Sequence, residues 1–183
     1  MFFEKFKNAL NDNISFTTKD AGKIEEEIRE YIEFANATLP LWEHIPAGSV
    51  APVDVKVYLD DKNIIFRDGH KVPVAKLVRT VDEGLVIIVN GIFTTLKHKT
   101  QISILYHQAF FIENKVEFTG YFSNTIADDR VARRYGVIEA SKVISLTEKK
   151  PLVAAKRLAR LGITSTKTEV NQYKEFRKQK RNF

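Results

Sequence analysis

The segment from Thr100 to Tyr135 constrains the fold of this chain more than any other. Its first half predicts an apolar helix from about Lys97 to Asn114, with His107 near the centre. The apolar stripe consists of residues at helical spacing: Ile102, Leu105, Tyr106, Ala109, Phe110 and Ile112. Its second half predicts a charged helix from Thr125 to Tyr135, capped at Ser123–Asn124. We therefore expect two successive helices that pack around a buried histidine.

The residues before this pair predict two helices and then a small sheet. Amphipathic spacing indicates helices over Phe2–Leu10 and Ala21–Ala37. The segment 39–52 is expected to be a loop anchored by Trp42. Alternation or apolar runs favour strands in four segments: Val53–Leu59, Ile64–Phe66, Val72–Val78 and Leu85–Val89. We expect the first two strands to form a hairpin, and Pro73 to place the third at an edge of the sheet.

Helical patterns continue to the end of the chain, at 137–146, 152–161 and 169–181. The fold class predicted by the whole pattern is α+β. It has N-terminal helices, a small mostly antiparallel sheet, a central helix pair and C-terminal helices. A length of 183 residues, 44% of them hydrophobic and 28% charged, is sufficient for one full core.

The residue types exclude several kinds of site. Without cysteine the chain has no disulfide and no thiolate metal site, and we expect a reducing, cytoplasmic setting. No apolar run approaches the length of a membrane span, and the first ten residues carry charges that a signal peptide core lacks. We therefore expect no membrane association.

The positive charge of the chain is concentrated near its C-terminus. Residues 151–183 contain nine Lys and Arg against two Glu, a net charge of +7 in a chain whose total is +6. We divide the chain into a domain over 1–162 and a basic C-terminal helix or tail over 163–183. The candidate contacts for phosphates or an acidic partner are the cations of this tail: Lys174, Arg177, Lys178, Lys180 and Arg181. The alternative for the same charges is a solvated helix that binds nothing.

The central helix pair resembles the active site of gluzincin-type zinc metallopeptidases, which carry HEXXH on one helix and EXXAD on the next. Here the two segments read His107-Gln108-Ala109-Phe110-Phe111 and Asn124-Thr125-Ile126-Ala127-Asp128. The resemblance covers about residues 25–161 and implies a zincin-like core. It places Gln108 where the general base stands, and Phe111 and Asn124 where the other two zinc ligands stand. His107 keeps the position of the first ligand, and Asp128 closes the second motif.

These replacements remove the chemistry of the family. Gln108 carries no carboxylate to take a proton from water, and Phe111 has no lone pair for a metal. Zinc sites normally use three protein ligands, and one histidine does not supply them. We therefore expect no metal, no cofactor and no catalytic residue. His107 is expected to donate to Asp128 or to a backbone carbonyl, and Phe110–Phe111 to fill the former metal cavity as core packing.

The function predicted from this resemblance is that of a non-catalytic metallopeptidase-like protein. It would act as a structural or protein-interaction component, in the cytoplasm of a host or in a phage virion and its assembly, because compact relatives of this type occur in phage genomes. Its partners would be other proteins. Two alternatives stay open. One is a protein that binds nucleic acid through the basic C-terminal segment, and the other is a metallopeptidase whose site is atypical or has been removed by engineering.

Overall fold

A computed structural model describes residues 18–67, 71–116 and 119–163 of the chain. Within these ranges it contains six helices and one four-stranded sheet, which confirms the α+β class. The helices are α1 (Thr18–Asn36), α2 (Gly91–Thr95), α3 (His98–Glu113), α4 (Tyr121–Tyr135), α5 (Val137–Thr147) and α6 (Pro151–Arg160). The strands are β1 (Leu41–Ile45), β2 (Val55–Asp60), β3 (Ala75–Thr80) and β4 (Gly84–Asn90). The predicted helix over 2–10 and the basic helix over 169–181 lie outside the described residues.

The sheet has the order β1-β2-β4-β3 and is mixed, with two antiparallel pairings, as predicted for most of the sheet, and one parallel pairing. The β3–β4 hairpin inserts β4 beside β2, and Val57 pairs with Ile87 in a parallel register. The two outer pairings, β1 with β2 and β3 with β4, are antiparallel. β4 is central and is buried at five consecutive positions, which is typical of a strand covered on both faces. The prediction that the Pro73 segment leads into an edge strand is confirmed, because β3 is the last strand in the order.

The predicted hairpin between Val53–Leu59 and Ile64–Phe66 is wrong, and Asp60 explains why. Its buried carboxylate accepts the backbone N–H groups of Ile64 at 2.8 Å and Ile65 at 2.6 Å. Those two donors therefore cannot take part in strand pairing, and the chain forms a turn at Asp60 instead of a second strand. The partner that β2 takes instead is β1, in a segment that was predicted to be a loop. Trp42 lies on that strand and contacts Phe93 edge to face, with the ring centroids 5.4 Å apart.

Two apolar clusters hold the sheet between its layers of helices. The larger cluster packs α3, α4 and α5 against one face, through residues that include Val57, Ile87, Val89, Phe93, Leu105 and Val131. The smaller cluster packs Phe34 of α1 against the other face, with Ile65, Phe66, Val78, Val86 and Ile88. The two faces of the sheet are therefore covered by different helices, and α3 and α4 are placed together below it.

The helix pair differs from its prediction at one boundary. α4 begins at Tyr121, four residues before the predicted start at Thr125. The side chain of Ser123 accepts the N–H of Gly120 at 3.0 Å, and the Asn124 amide donates to the Gly120 carbonyl at 2.8 Å. Ser123 and Asn124 therefore lie inside the first turn and satisfy its open end, so the predicted cap at these residues is wrong. Asn124 therefore lies within a helix, where the resemblance to EXXAD places the first residue of that motif.

We predict that Asp60→Ala lowers the free energy of unfolding by about 3 kcal/mol, because two buried N–H groups lose a charged acceptor. Urea denaturation monitored by circular dichroism measures the change. Asp61→Ala is the matched control, since Asp61 is exposed and adjacent. Equal losses of stability in the two variants would show that the Asp60 carboxylate does not hold this turn.

Candidate functional site

His107 and Asp128 meet between α3 and α4, as the sequence predicts. His107 Nε2 lies 2.8 Å from Asp128 Oδ1, and the two side chains are 2% and 1% exposed. An ionised carboxylate only accepts hydrogen bonds, so Nε2 carries the hydrogen and donates it. The other ring nitrogen, Nδ1, is buried and has no hydrogen-bond partner among the described residues. A histidine held by a carboxylate in this way is the arrangement that orients histidines in many metal sites.

The third member of this cluster, Arg157 of α6, was not predicted. Its Nε donates to Asp128 Oδ2 at 2.8 Å and its Nη2 to Oδ1 at 2.6 Å, a bidentate pair. Its Nη1 donates to Glu148 at 3.0 Å. The side chain of Arg157 is 1% exposed. A signal existed in the sequence, because Arg157 follows Ala154 by three residues and precedes Leu161 by four, on the apolar face of its helix.

The same guanidinium brings a positive charge to the histidine. Arg157 Nη2 lies 3.1 Å from His107 Nε2. Because Nε2 already donates to Asp128, this approach adds no second hydrogen bond, and Asp128 is the acceptor that both groups share. We name His107, Asp128 and Arg157 the buried ion cluster. It connects α3, α4 and α6 through one carboxylate.

Burial alone would raise the pKa of Asp128, but the hydrogen bonds from Arg157 and His107 outweigh it and place that pKa below its usual range. A carboxyl whose pKa is depressed on folding contributes stability above its unfolded pKa, which is about 3.9 for aspartate. That contribution is lost only as the pH falls below this value toward the folded pKa. The cluster is therefore fully formed across the neutral range.

A cavity of about 420 Å³ lies beside the cluster. It is lined by four residues at positions of the two motifs: His107, Gln108, Phe111 and Asn124. Arg157 lines it as well, and Asp128 lies behind His107. The structure therefore brings the predicted site residues together around one volume. The predicted cations of the C-terminal tail lie outside the described residues.

The two phenylalanines of the first motif have different surroundings. Phe111 is 1% exposed and contacts His107 with the ring centroids 5.7 Å apart, so its predicted role in the core is confirmed. Phe110 is partly exposed, and its ring lies under the guanidinium of Arg130 at 5.3 Å. The prediction that both rings are core is therefore wrong for Phe110, which lies on the outer face of α3. A cavity remains next to Phe111.

Ion pairs surround the mouth of the cavity. Three glutamates of α1 line it, and each pairs with a cation from another element. The pairs are Glu30 with Lys76 at 3.3 Å, Glu27 with Arg79 at 3.8 Å, and Glu26 with Lys149. Two of these cations belong to β3 and the third follows α5. α1 therefore forms one wall of the cavity. Ion pairs connect it to β3 and to the segment that follows α5.

The charged helix α4 carries two neighbouring aspartates in different surroundings. Asp129 pairs with Arg160 at 2.7 Å on the surface, and both side chains are about 40% exposed. Asp128, one residue earlier, is buried. Asp129 therefore belongs to a solvated ion pair, whereas Asp128 belongs to the interior. An exposed pair of this kind contributes little to stability.

Within residues 18–67, 71–116 and 119–163, no group of three or more His, Cys, Asp or Glu side chains is placed to hold a metal ion. No helix in those ranges combines the length and the apolar character needed to cross a bilayer. Comparison of the chain with protein-family models, curated proteins and solved structures finds no match.

We predict that Arg157→Ala lowers the free energy of unfolding by about 3–5 kcal/mol, because it leaves Asp128 buried without its cation. Arg160→Ala is the matched control on the same helix. Its partner Asp129 is exposed, so we expect a much smaller effect. Thermal and urea denaturation measure both changes. A comparable loss in the two variants would mean that the buried ion cluster does not connect the helices.

Proposed function

We propose that this chain is a non-catalytic, metallopeptidase-like protein that binds an extended segment of a partner protein in the cavity beside His107. The observation that carries the proposal is the guanidinium of Arg157, which lies 3.1 Å from His107 Nε2 and is bonded to Asp128. A second cation at the same nitrogen would be repelled by this fixed positive charge. The arrangement thus favours an ion cluster made of side chains over a metal centre.

The motif positions on the cavity wall lack the groups with which metallopeptidases cleave peptides. Gln108 offers a neutral amide at the position of the general base, and Phe111 offers a ring at a ligand position. A peptide bond placed beside these residues would meet no carboxylate at the base position and no complete set of zinc ligands. The amide of Gln108 has no hydrogen-bond partner among the described residues, so it is available to a peptide group. These features support binding without cleavage.

The edge strand β3 supports an extended ligand. Within the described residues β3 pairs with β4 alone, and residues of both its faces line the cavity, including Lys76 and Leu77. An edge strand has unpaired backbone groups to which an extended peptide can add as a further strand. The volume of the cavity is within the range of small ligand sites. We therefore infer that a few residues of the partner lie along β3, above α3.

The resemblance to metallopeptidases also suggests the biological setting. Compact members of the family that the motifs resemble occur in phage genomes, so we propose a structural or assembly role in a virion, with the partner being another protein of that assembly. The zincin-like core is part of this proposal. It is supported by α3 and α4, which carry the two motif segments, and by the edge strand beside them.

Incubation of the full chain with a mixed pool of synthetic peptides tests the proposed binding. We expect the chain to retain a subset of peptides, and mass spectrometry to recover them uncut. Gln108→Trp fills the cavity beside His107 and should abolish retention. Ser145→Trp, at an exposed position of α5, is the control and should retain the same peptides. Cleaved peptides, or equal retention by the two variants, would contradict the proposal.

Zinc binding by a restored motif tests the proposed relationship to metallopeptidases. The variant Gln108→Glu, Phe111→His, Asn124→Glu replaces all three lost groups, and its two new carboxylates offset the charge of Arg157. We expect this variant to bind one zinc ion per chain, measured by elemental analysis and calorimetry, and the unmodified chain to bind none. A folded variant that holds no more zinc than the unmodified chain would reject the relationship.

A further inference from the structure

The outer faces of α3 and α4 carry a ladder of alternating rings and guanidinium groups. Arg130 lies over Phe110 and over Tyr106, each at 5.3 Å. Arg134 lies over Tyr106 at 5.0 Å and over Tyr135 at 5.6 Å. The order is therefore Phe110, Arg130, Tyr106, Arg134, Tyr135, and we name these five residues the arginine–aromatic ladder. Guanidinium groups in such contacts are held in place, so binding a ligand costs them less conformational entropy.

The ladder is accessible, and the positive charge of Arg134 has no acidic partner among the described residues. Arg134 is exposed and makes no hydrogen bond or ion pair with any described residue. Arg133, next to it, is also exposed and donates only to the carbonyl of Asp129. The acidic partner within the ladder region is Glu113, which pairs with Arg130 at 3.2 Å. The last turn of α4 thus presents N–H groups with free hydrogen-bonding capacity.

We propose that the arginine–aromatic ladder is a binding surface for single-stranded nucleic acid. Phosphates would accept hydrogen bonds from the outward N–H groups of Arg134 and Arg133, and unpaired bases would contact the partly exposed rings of Tyr106 and Tyr135. Surfaces for single strands combine these two elements, a cationic track and aromatic side chains. A duplex would offer the phosphates but not the base faces, so the rings favour a single strand.

An acidic protein is the other polyanion that arginines attract, and the ladder fits it less well. The carboxylates of an acidic protein would bind the guanidinium groups of Arg133 and Arg134. They would make no favourable contact with the rings that lie between the guanidinium groups. The ladder also differs from both sites considered above. It uses Tyr106 and Phe110 on the outer face of α3, whereas the cavity uses His107, and it includes no residue of the C-terminal tail.

Fluorescence anisotropy with a labelled oligo(dT) of about 12 nucleotides, a length within known single-strand site sizes, tests the surface. We expect the full chain to bind, with an affinity that falls as sodium chloride is raised. Arg134→Ala should weaken binding roughly tenfold, because it removes both a charge and a stacked plane. Arg133→Ala removes the same charge one residue away, outside the ladder, and should weaken binding no more than about threefold. Tyr106→Leu changes no charge and should weaken binding as Arg134→Ala does.

Four results would overturn the proposal. The first is no binding of the oligonucleotide by the unmodified chain at low salt. The second is an equal loss of affinity in Arg133→Ala and Arg134→Ala, in variants whose circular dichroism is unchanged. This result would show that net charge, and not the ladder, determines the affinity. The third is binding that survives Arg134→Ala but is lost when Lys174, Arg177 and Lys178 are replaced by Ala, which would assign it to the tail. Equal affinity for polyglutamate would favour an acidic protein and would likewise reject a nucleic-acid site.

Discussion

The carboxylate of Asp128 is the point at which three helices meet. It accepts hydrogen bonds from Arg157 on α6 and from His107 on α3, and it lies on α4. Each of these groups is almost completely buried, so none can exchange its partner for water. Removing two charges from water is costly, and the cost is recovered only if every bond of the pair is made. The positions of α3, α4 and α6 are therefore strongly coupled. These positions determine the shape of the cavity beside the buried ion cluster.

The same constraint determines what the cavity can do. A metal ion at His107 would have to bind Nδ1, because Nε2 already donates to Asp128 with the Arg157 cation alongside, and it would need further ligands. The charge that a metal would supply is thus present as a guanidinium with fixed bonds. Such a group is a structural element, because it offers neither an open coordination position nor a bound water. Gln108, on the cavity wall, is then available for hydrogen bonds to a ligand.

Much of the helical framework could be predicted from the sequence because local periodicity determines it. The helix around His107 and the one that carries Asp128 were recognisable from their spacing, and their contact followed from the broken motifs. Arg157 was missed because it comes from a third helix, 29 residues beyond Asp128. A single arginine on an amphipathic helix is usually solvated, and only tertiary structure shows that this one is enclosed.

The sheet was harder to predict, for two physical reasons. β1 is a short strand whose polar residues, Glu43 and His44, are adjacent rather than alternating with apolar ones, and it pairs because β2 offers it an edge. Asp60 then redirects the chain by binding two backbone donors that the apolar pattern of Ile64–Phe66 assigns to a strand. Both errors arise where a side chain or a distant strand competes with a local preference. β3 and β4 have no such competitor, and the strands predicted over Val72–Val78 and Leu85–Val89 overlap the observed ones.

Nitrogen-15 NMR of the His107 imidazole tests the central claim, that Asp128 and Arg157 occupy the histidine in place of a metal, most directly. The account predicts a hydrogen on Nε2, bonded to Asp128, and no change at either ring nitrogen when an equivalent of zinc is added. A bare Nε2 whose signal moves on the addition of zinc would contradict it.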